Sequence, residues 1–492
     1  MISTKMQNFL HETEDRIVIR EMNGKTHYHS ELRRDVEDIA AGLNQIYGSC
    51  DRLVFGIAMR SCYEWVTTLL AIQKVGAVLL PVPIEFSDEQ ISSLLTKASA
   101  IFVADDATRQ RIDSIFPGKP CFYPYQVKVH SQTLRLSGEE RISDGVTAII
   151  HTSGTTSKPK GVMIRDAAVG LLVDNVMKRL PNRPLHYFSL VPMSLLIEQV
   201  LGIFIPLLSG GTLTLMPPGI KEYGSASGNA ALYLGMIAEV EPDFLYLPPK
   251  LLEEALALIE MDGSENVLGR NNPHIITGGA KIPVSVLQAL DDKGVAVYEA
   301  YGLSENSSII SLNYPGCRRI GSVGKLLDGI TPLLVEGELL VKTPTLCAGY
   351  YNSDETSCDM TDGYLHTGDI THFEDGYLYI TGRKKHVIIL STARNVSPEW
   401  VETIYKESEI IEDMIVIGEG QEQLGAIILS PHPESDVQRA LESKNNRLAE
   451  FARVGKYAVV NNIAGFRRKY YTVTGRPRRK EIEEDYSEIV YQ

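Results

Sequence analysis

The sequence predicts an α/β protein. Its large N-terminal domain has mixed parallel sheets with helices plus a β-rich subdomain, and a small mobile α+β C-terminal domain follows. Three observations carry this. Helical and strand-like apolar periods alternate through the first 130 residues, short strands and turns dominate beyond about residue 337, and a smaller helix-and-strand pattern follows residue 383. At 492 residues the chain is long enough to bury a sizeable core without disulfide or metal staples.

The elements follow in order. Residues 28–43 place apolar side chains at helical spacing, 53–59 read as a strand, 64–75 as a helix, 76–83 as a short apolar run and 102–106 as a strand ending in acids. The same rhythm recurs as strand 185–190, helix 198–208 and strand 212–216. Residues 337–343 read as a strand, and the pairs Asp362-Gly363 and Asp375-Gly376 mark the turns that follow. Beyond them, 398–406 read as a helix and 414–418 as a strand. The boundary falls at 382–385, giving a core of 1–383 and a mobile domain of 384–492.

Composition narrows the function. Hydrophobic residues make up 44% and charged residues 22%, which excludes disorder, collagen and coiled coil. A net charge of −14 argues against nucleic acid or an anionic membrane as the general partner. The six cysteines contain no C-x-x-C pair, so neither a disulfide framework nor a zinc site is expected. No export signal is visible, and no apolar stretch reaches the roughly 20 residues of a membrane span, so the expected location is the cytoplasm.

The chemistry concentrates at 148–164, AIIHTSGTTSKPKGVMI. An apolar strand runs into a loop of hydroxyls and glycines with Lys158 and Lys160 behind it. Glycines let backbone N–H groups crowd a phosphate, while hydroxyls and lysines add donors and charge. The lysine register is not that of the Walker loop. A plain Ser/Thr linker is the competing reading.

This segment resembles the phosphate loop [Y/F]TSGTTGxPKG of the adenylate-forming superfamily, which includes acyl-CoA synthetases, luciferases and peptide-synthetase adenylation domains. His151 and Ser157 depart from the pattern. The resemblance implies that Thr152, Ser153, Gly154, Thr155, Thr156, Lys158 and Lys160 surround the phosphates, with Thr155 and Glu305 toward Mg²⁺. Gly278-Gly279-Ala280 resembles the loop along the adenine. Tyr301-Gly302-Leu303-Ser304-Glu305 resembles YGxTE, with Tyr301 on the adenine, Glu305 toward the metal and Ser304 for the usual threonine. Tyr364-Leu365-His366-Thr367-Gly368-Asp369 resembles the motif whose aspartate binds the ribose hydroxyls. Residues 380–385 resemble the hinge, with Arg383 near the ribose and Lys385 at the pivot. Apart from the family, Tyr301 offers a π-face to a purine, and Asp369 reads as a turn acid able to accept two hydroxyls.

The family ends on T-x-x-G-K-x-x-R, whose lysine reaches the carboxylate and α-phosphate; here that position holds Arg476. Three readings compete: Arg476 substitutes, Lys480 reaches in from the next turn, or adenylation is impaired. Residues 190–198 and 246–252 resemble fatty acyl-CoA synthetases, implying an acyl pocket with Leu195, Tyr246, Gly279 and Gly302; that both stretches are simply core is the competing reading. No acid precedes Glu198 in that stretch, so a buried α-ammonium would lack a partner and a carboxylic acid with an apolar body is expected. Residues 391–398 resemble the pantetheine tunnel.

Nine cations and no acid lie between Arg453 and Lys480, which suits CoA phosphates, an acidic acyl carrier protein, or simply a solvated basic face. The expectation is an AMP-forming acid–thiol ligase using ATP, Mg²⁺ and CoA or a phosphopantetheinyl carrier on a fatty or other apolar acid. The alternatives are an enzyme loading a carrier protein and a non-catalytic nucleotide- or acyl-binding relative.

Overall fold

Consecutive apolar residues become the central strands of two sheets, because a strand buried on both faces needs no polar alternation. The computed structural model describes the chain apart from residues 130–135, 137, 139–140, 152–159, 224–228, 263–266, 270–272, 353–356, 392–394, 473–474 and 492. Among the described residues, a seven-stranded sheet runs Tyr350–Tyr351, Gly161–Arg165, Val146–His151, Val78–Pro81, Val54–Ala58, Ala100–Val103, Cys121–Phe122. Its strands from Val146–His151 onward are parallel, and Val54–Ala58 and Val78–Pro81 are buried throughout. The helices His29–Tyr47 and Tyr63–Lys74 share one apolar cluster with Phe55, Ile57 and Leu79 of this sheet. They correspond to the expected helices 28–43 and 64–75.

A second sheet carries the parallel run Val297–Tyr301, His274–Gly278, Phe244–Tyr246, His186–Phe188, Thr212–Leu215, Ile17–Glu21, with antiparallel strands added at both edges. Tyr246, Gly278 and Tyr301 each end a strand of this run. The carboxyl ends of parallel strands are where open α/β sheets place their ligands.

One helix departs from expectation. Residues 198–208 are not a uniform α-helix: Gln199–Phe204 is a π-helical stretch, closed by the Ile205 N–H bonding to the Val200 carbonyl. Pro206 follows and has no N–H to continue an ordinary α ladder, so a wider register precedes it.

The β-rich part pairs Thr331–Val335, Glu338–Lys342, Tyr364–Glu374 and Met360–Thr361, with Tyr377–Arg383 also on Tyr364–Glu374. At both expected Asp-Gly turns the two residues take positive φ: 50° and 80° at Asp362-Gly363, 49° and 80° at Asp375-Gly376. This is the twist that a tight hairpin demands. In the last part, Asp413–Ile417, Leu424–Leu429 and Val454–Val460 form a sheet whose first two strands are buried on both faces. Met414 and Ile428 face Val401 and Tyr405 on one side, while Ile415 and Ile427 face Phe466 and Ile482 on the other. Among the described residues no helix is long and apolar enough to cross a membrane.

Candidate active site

Asp369 lies inside the strand Tyr364–Glu374, not in the solvated turn that its Thr-Gly-Asp context suggested. It is 2% exposed and sits opposite Arg383 in register. The Arg383 Nε is 2.6 Å from Oδ1, and the Tyr301 hydroxyl donates to Oδ2 at 2.6 Å. Burial raises the carboxyl's pKa, while Arg383 and Tyr301 pull it down. The remaining lone pairs can accept two vicinal hydroxyls. Tyr301 itself is 8% exposed and packs on Ile310, Leu339 and Leu365, so much of the ring is core.

Behind Asp369 is a group that sequence reasoning missed. Glu338 is buried and accepts from the Gly368 N–H at 3.2 Å and the Lys384 Nζ at 2.8 Å, with His366 Nδ1 at 3.1 Å. It ties the segment before Asp369 to the segment expected as a hinge. Lys385 is exposed in the short turn Lys384–His386. No local sequence signal marks Glu338; its partners lie about thirty or more residues away.

Glu305 lies in the turn Ser304–Asn306. Tyr350 donates its hydroxyl to Glu305 Oε1 at 2.9 Å, and the Cys347 N–H donates to the Glu305 carbonyl at 2.8 Å. The Lys160 ammonium is 5.3 Å from the centre of the Tyr350 ring, a cation–π distance. Tyr350 is reached through the pairing of Tyr350–Tyr351 with Gly161 and Val162, so sequence distance hid it.

Arg476 meets this region from the C-terminal part: its Nη2 donates to the Gly279 carbonyl at 3.0 Å. Arg476 is itself exposed at the surface; desolvation and Arg383 lower its pKa, while Tyr246 and Asp369 raise it. Lys480 does not reach in; its side chain is 90% exposed and 3.8 Å from Glu484. The glycines divide in role. Gly279 has φ +82° and lies open near the Tyr246 hydroxyl, whereas a Cβ at Gly302 would strike the Ser308 carbonyl at 1.7 Å. Backbone packing therefore already accounts for Gly302, without any acyl ligand. Ala280 is exposed just beyond the strand His274–Gly278, and Ser304 is half-buried in the turn Ser304–Asn306.

Tyr246 is 8% exposed, its hydroxyl held on the Gly278 carbonyl at 3.0 Å, and Leu195 is 38% exposed. Beneath them Glu198 is fully buried and accepts from the Tyr187 and Ser189 hydroxyls, each at 2.6 Å. Burial pushes its carboxyl up to about 8, so the nearest acid is largely neutral at neutral pH.

The basic stretch is less bare than its sequence suggests. Arg467, Lys469 and Arg479 pair with Glu412, Asp485 and Glu402 on other elements, while Arg478 and Lys480 lie beside Glu481 and Glu484, three and four residues on. The expected phosphate-loop residues Thr152, Ser153, Gly154, Thr155, Thr156 and Lys158 lie outside the described residues, as do Thr392, Ala393 and Arg394 of the expected tunnel.

A family model described as AMP-binding enzyme matches residues 6–351, and one described as AMP-binding enzyme C-terminal domain matches 385–492. The chain is 26% identical over 485 residues to 2-succinylbenzoate–CoA ligase of Bacillus cytotoxicus, covering 91% of each. It is 26% identical over 439 residues to the long-chain-fatty-acid–CoA ligase FadD15 of Mycobacterium bovis, covering 77% of this chain and 72% of the relative. Its fold is similar to the anthranilate CoA ligase AuaEII in complex with anthranoyl-AMP, with TM-score 0.83, 20% identity, and coverage of 98% of this chain and 96% of that one.

Proposed function

The chain belongs to the AMP-binding enzyme family, and from that premise we propose that it is an ATP-dependent acid–thiol ligase that activates a compact, apolar, ring-bearing carboxylic acid as acyl-AMP and passes it to CoA. The observation that carries the reading is the Arg476–Gly279 contact, which brings a permanent cation within reach of Asp369, Arg383 and Tyr246.

In the first step a substrate carboxylate oxygen attacks the α-phosphorus of ATP, and the bond to pyrophosphate breaks. Asp369 and Arg383 hold the ribose, Tyr301 presents its accessible edge to the adenine, and Gly278, Gly279, Ala280 and Ser304 line the nucleotide. Arg476 stabilises the charge that gathers where the two anions join. The polyphosphate is assigned to the sequence motif that contains Thr155 and Lys160. Glu305 fits a hard cation, since a carboxylate keeps lone pairs beyond the one Tyr350 takes, and Mg²⁺ is commonly held by one or two carboxylates plus substrate phosphates. When bound, Mg²⁺ supplies neutralisation of the polyphosphate charge. In the second step a pantetheine thiol attacks the acyl carbon and AMP leaves. A core of 1–383 and a mobile domain of 384–492, turning at Lys385, would withdraw Arg476 between the steps.

The substrate class rests on the pocket wall. The Tyr246 hydroxyl bond to Gly278 fixes its ring as a rigid wall, and a fixed wall suits a flat acid better than a long flexible chain. The succinylbenzoate ligase covers more of this chain than the fatty acyl ligase does, which points the same way. The mostly neutral Glu198 offers no anion to an α-ammonium. Long-chain fatty acids are the second reading, favoured by the similarity to the mycobacterial ligase. Pyrophosphate exchange across aryl, fatty and amino acids tests this: exchange with aryl acids is expected, and robust exchange with an amino acid would overturn it.

A further inference from the structure

Cys347 and Cys358 are both unbonded thiols, and their Sγ atoms lie 2.7 Å apart. Among the described residues this is the one thiol–thiol contact. The other four cysteines, Cys50, Cys62, Cys121 and Cys317, are scattered through the fold. Cys347 is 3% exposed, whereas Cys358 is half-buried and open to small molecules.

The surroundings make the pair more than two neighbouring thiols. The Cys347 N–H holds the Glu305 carbonyl, and three residues on Tyr350 holds the Glu305 carboxylate. Between them, Ala348 N–H bonds to the Met163 carbonyl at 2.7 Å and Met163 N–H to the Gly349 carbonyl at 2.9 Å. The segment is thus stitched to the strand Gly161–Arg165, which directly follows Lys160. A covalent pull on Cys347 is passed to Glu305 and to this strand through short, ordered bonds.

We propose that Cys347 and Cys358 are a redox pair that closes a reversible disulfide under hydrogen peroxide and so lowers the acid-activating step. The regulatory half of this rests on the proposed role of Glu305; the covalent half does not. One sulfur of the pair attacks one peroxide oxygen, so an S–O bond forms, the O–O bond breaks, and the thiol proton and departing hydroxide leave as water. The other sulfur then attacks the sulfenyl sulfur; the S–S bond forms, the S–O bond breaks, and the second proton leaves with that hydroxyl as water. Two thiols and one peroxide give one disulfide and two waters, and a dithiol reverses the bond by exchange.

The test treats the full-length enzyme with hydrogen peroxide, blocks remaining thiols, and maps cross-linked peptides by mass spectrometry alongside pyrophosphate release. The expected result is a Cys347–Cys358 cross-link, a several-fold loss of acid activation, and recovery with dithiothreitol. Cys358→Ala should keep basal activity and keep it in peroxide. Absence of the cross-link overturns the pair. A cross-link with unchanged activity overturns the regulation, and peroxide loss in Cys358→Ala as large as in the wild type assigns the effect to another cysteine and overturns it too. Because the cross-link is read without turnover, its failure is distinct from failure of the Glu305 assignment.

Discussion

Arg476→Ala removes one guanidinium whose protein hydrogen bond is the 3.0 Å contact to the Gly279 carbonyl. That carbonyl sits at an open position, so water replaces the lost donor and the fold loses about 1 kcal/mol or less. The rate should suffer far more. A preorganised donor aimed at charge developing in the transition state is worth about 10²–10³ in rate, or about 2.7–4 kcal/mol. Single-turnover acyl-AMP formation should fall by that factor, while thioester formation from supplied acyl-AMP stays near wild type. Arg476→Lys should retain or raise activity, because it restores an ammonium where the family carries one. Arginine stays charged throughout, so the wild-type step should show no alkaline loss from this group. Lys480→Ala is the control, since its side chain points to solvent. Wild-type rates in Arg476→Ala, or loss in Lys480→Ala instead, would refute the reasoning.

Asp369→Ala and Glu305→Ala should each nearly abolish acyl-AMP formation while circular dichroism remains native-like, with Asp369→Ala melting lower because it strands Arg383 and the Tyr301 hydroxyl; wild-type turnover in either removes it from the site. Tyr350→Phe should raise the Mg²⁺ concentration needed for half-maximal rate roughly ten-fold, the scale of one hydrogen bond to a charged group, and an unchanged Mg²⁺ requirement contradicts the positioning role. Glu198 titrates at about 8 in the fold against 4.5 ordinarily, so the folded state keeps a proton that the unfolded chain releases. Its contribution is greatest below the ordinary carboxylate range and is lost as pH rises through about 8. Urea midpoints should therefore decline less steeply with pH in Glu198→Gln than in wild type; parallel slopes would contradict this.

The parallel-sheet core was legible because parallel strands buried on both faces appear as apolar runs, as at Val54–Ala58 and Val78–Pro81. The Asp-Gly turns were legible for a local reason, the positive φ they tolerate. The π-helical register at Gln199–Phe204 was not, since Pro206 alters backbone bonding without altering the apolar pattern. The site divides likewise. Asp369, Glu305, Tyr301 and Arg476 stand in ordered motifs, but motif order does not reveal that Asp369 is a buried strand residue paired with Arg383. Tyr350, Glu338 and the Cys347–Cys358 contact come from strand pairing and long-range packing, which a local reading does not reach. The basic stretch misled because its compensating acids lie just outside it or well before it, at Glu481, Glu484 and Asp485 and at Glu402 and Glu412.

The central claim is that the carboxylate itself becomes bonded to the α-phosphorus of ATP. Isotope transfer tests it most directly: the enzyme turns over an aryl acid labelled with ¹⁸O in both carboxylate oxygens, with ATP, Mg²⁺ and CoA, and the nucleotide product is weighed. The account predicts AMP carrying one ¹⁸O, because the bridging oxygen of acyl-AMP stays with phosphorus when the thiol displaces it. Unlabelled AMP, or ADP with the label in inorganic phosphate, would contradict it.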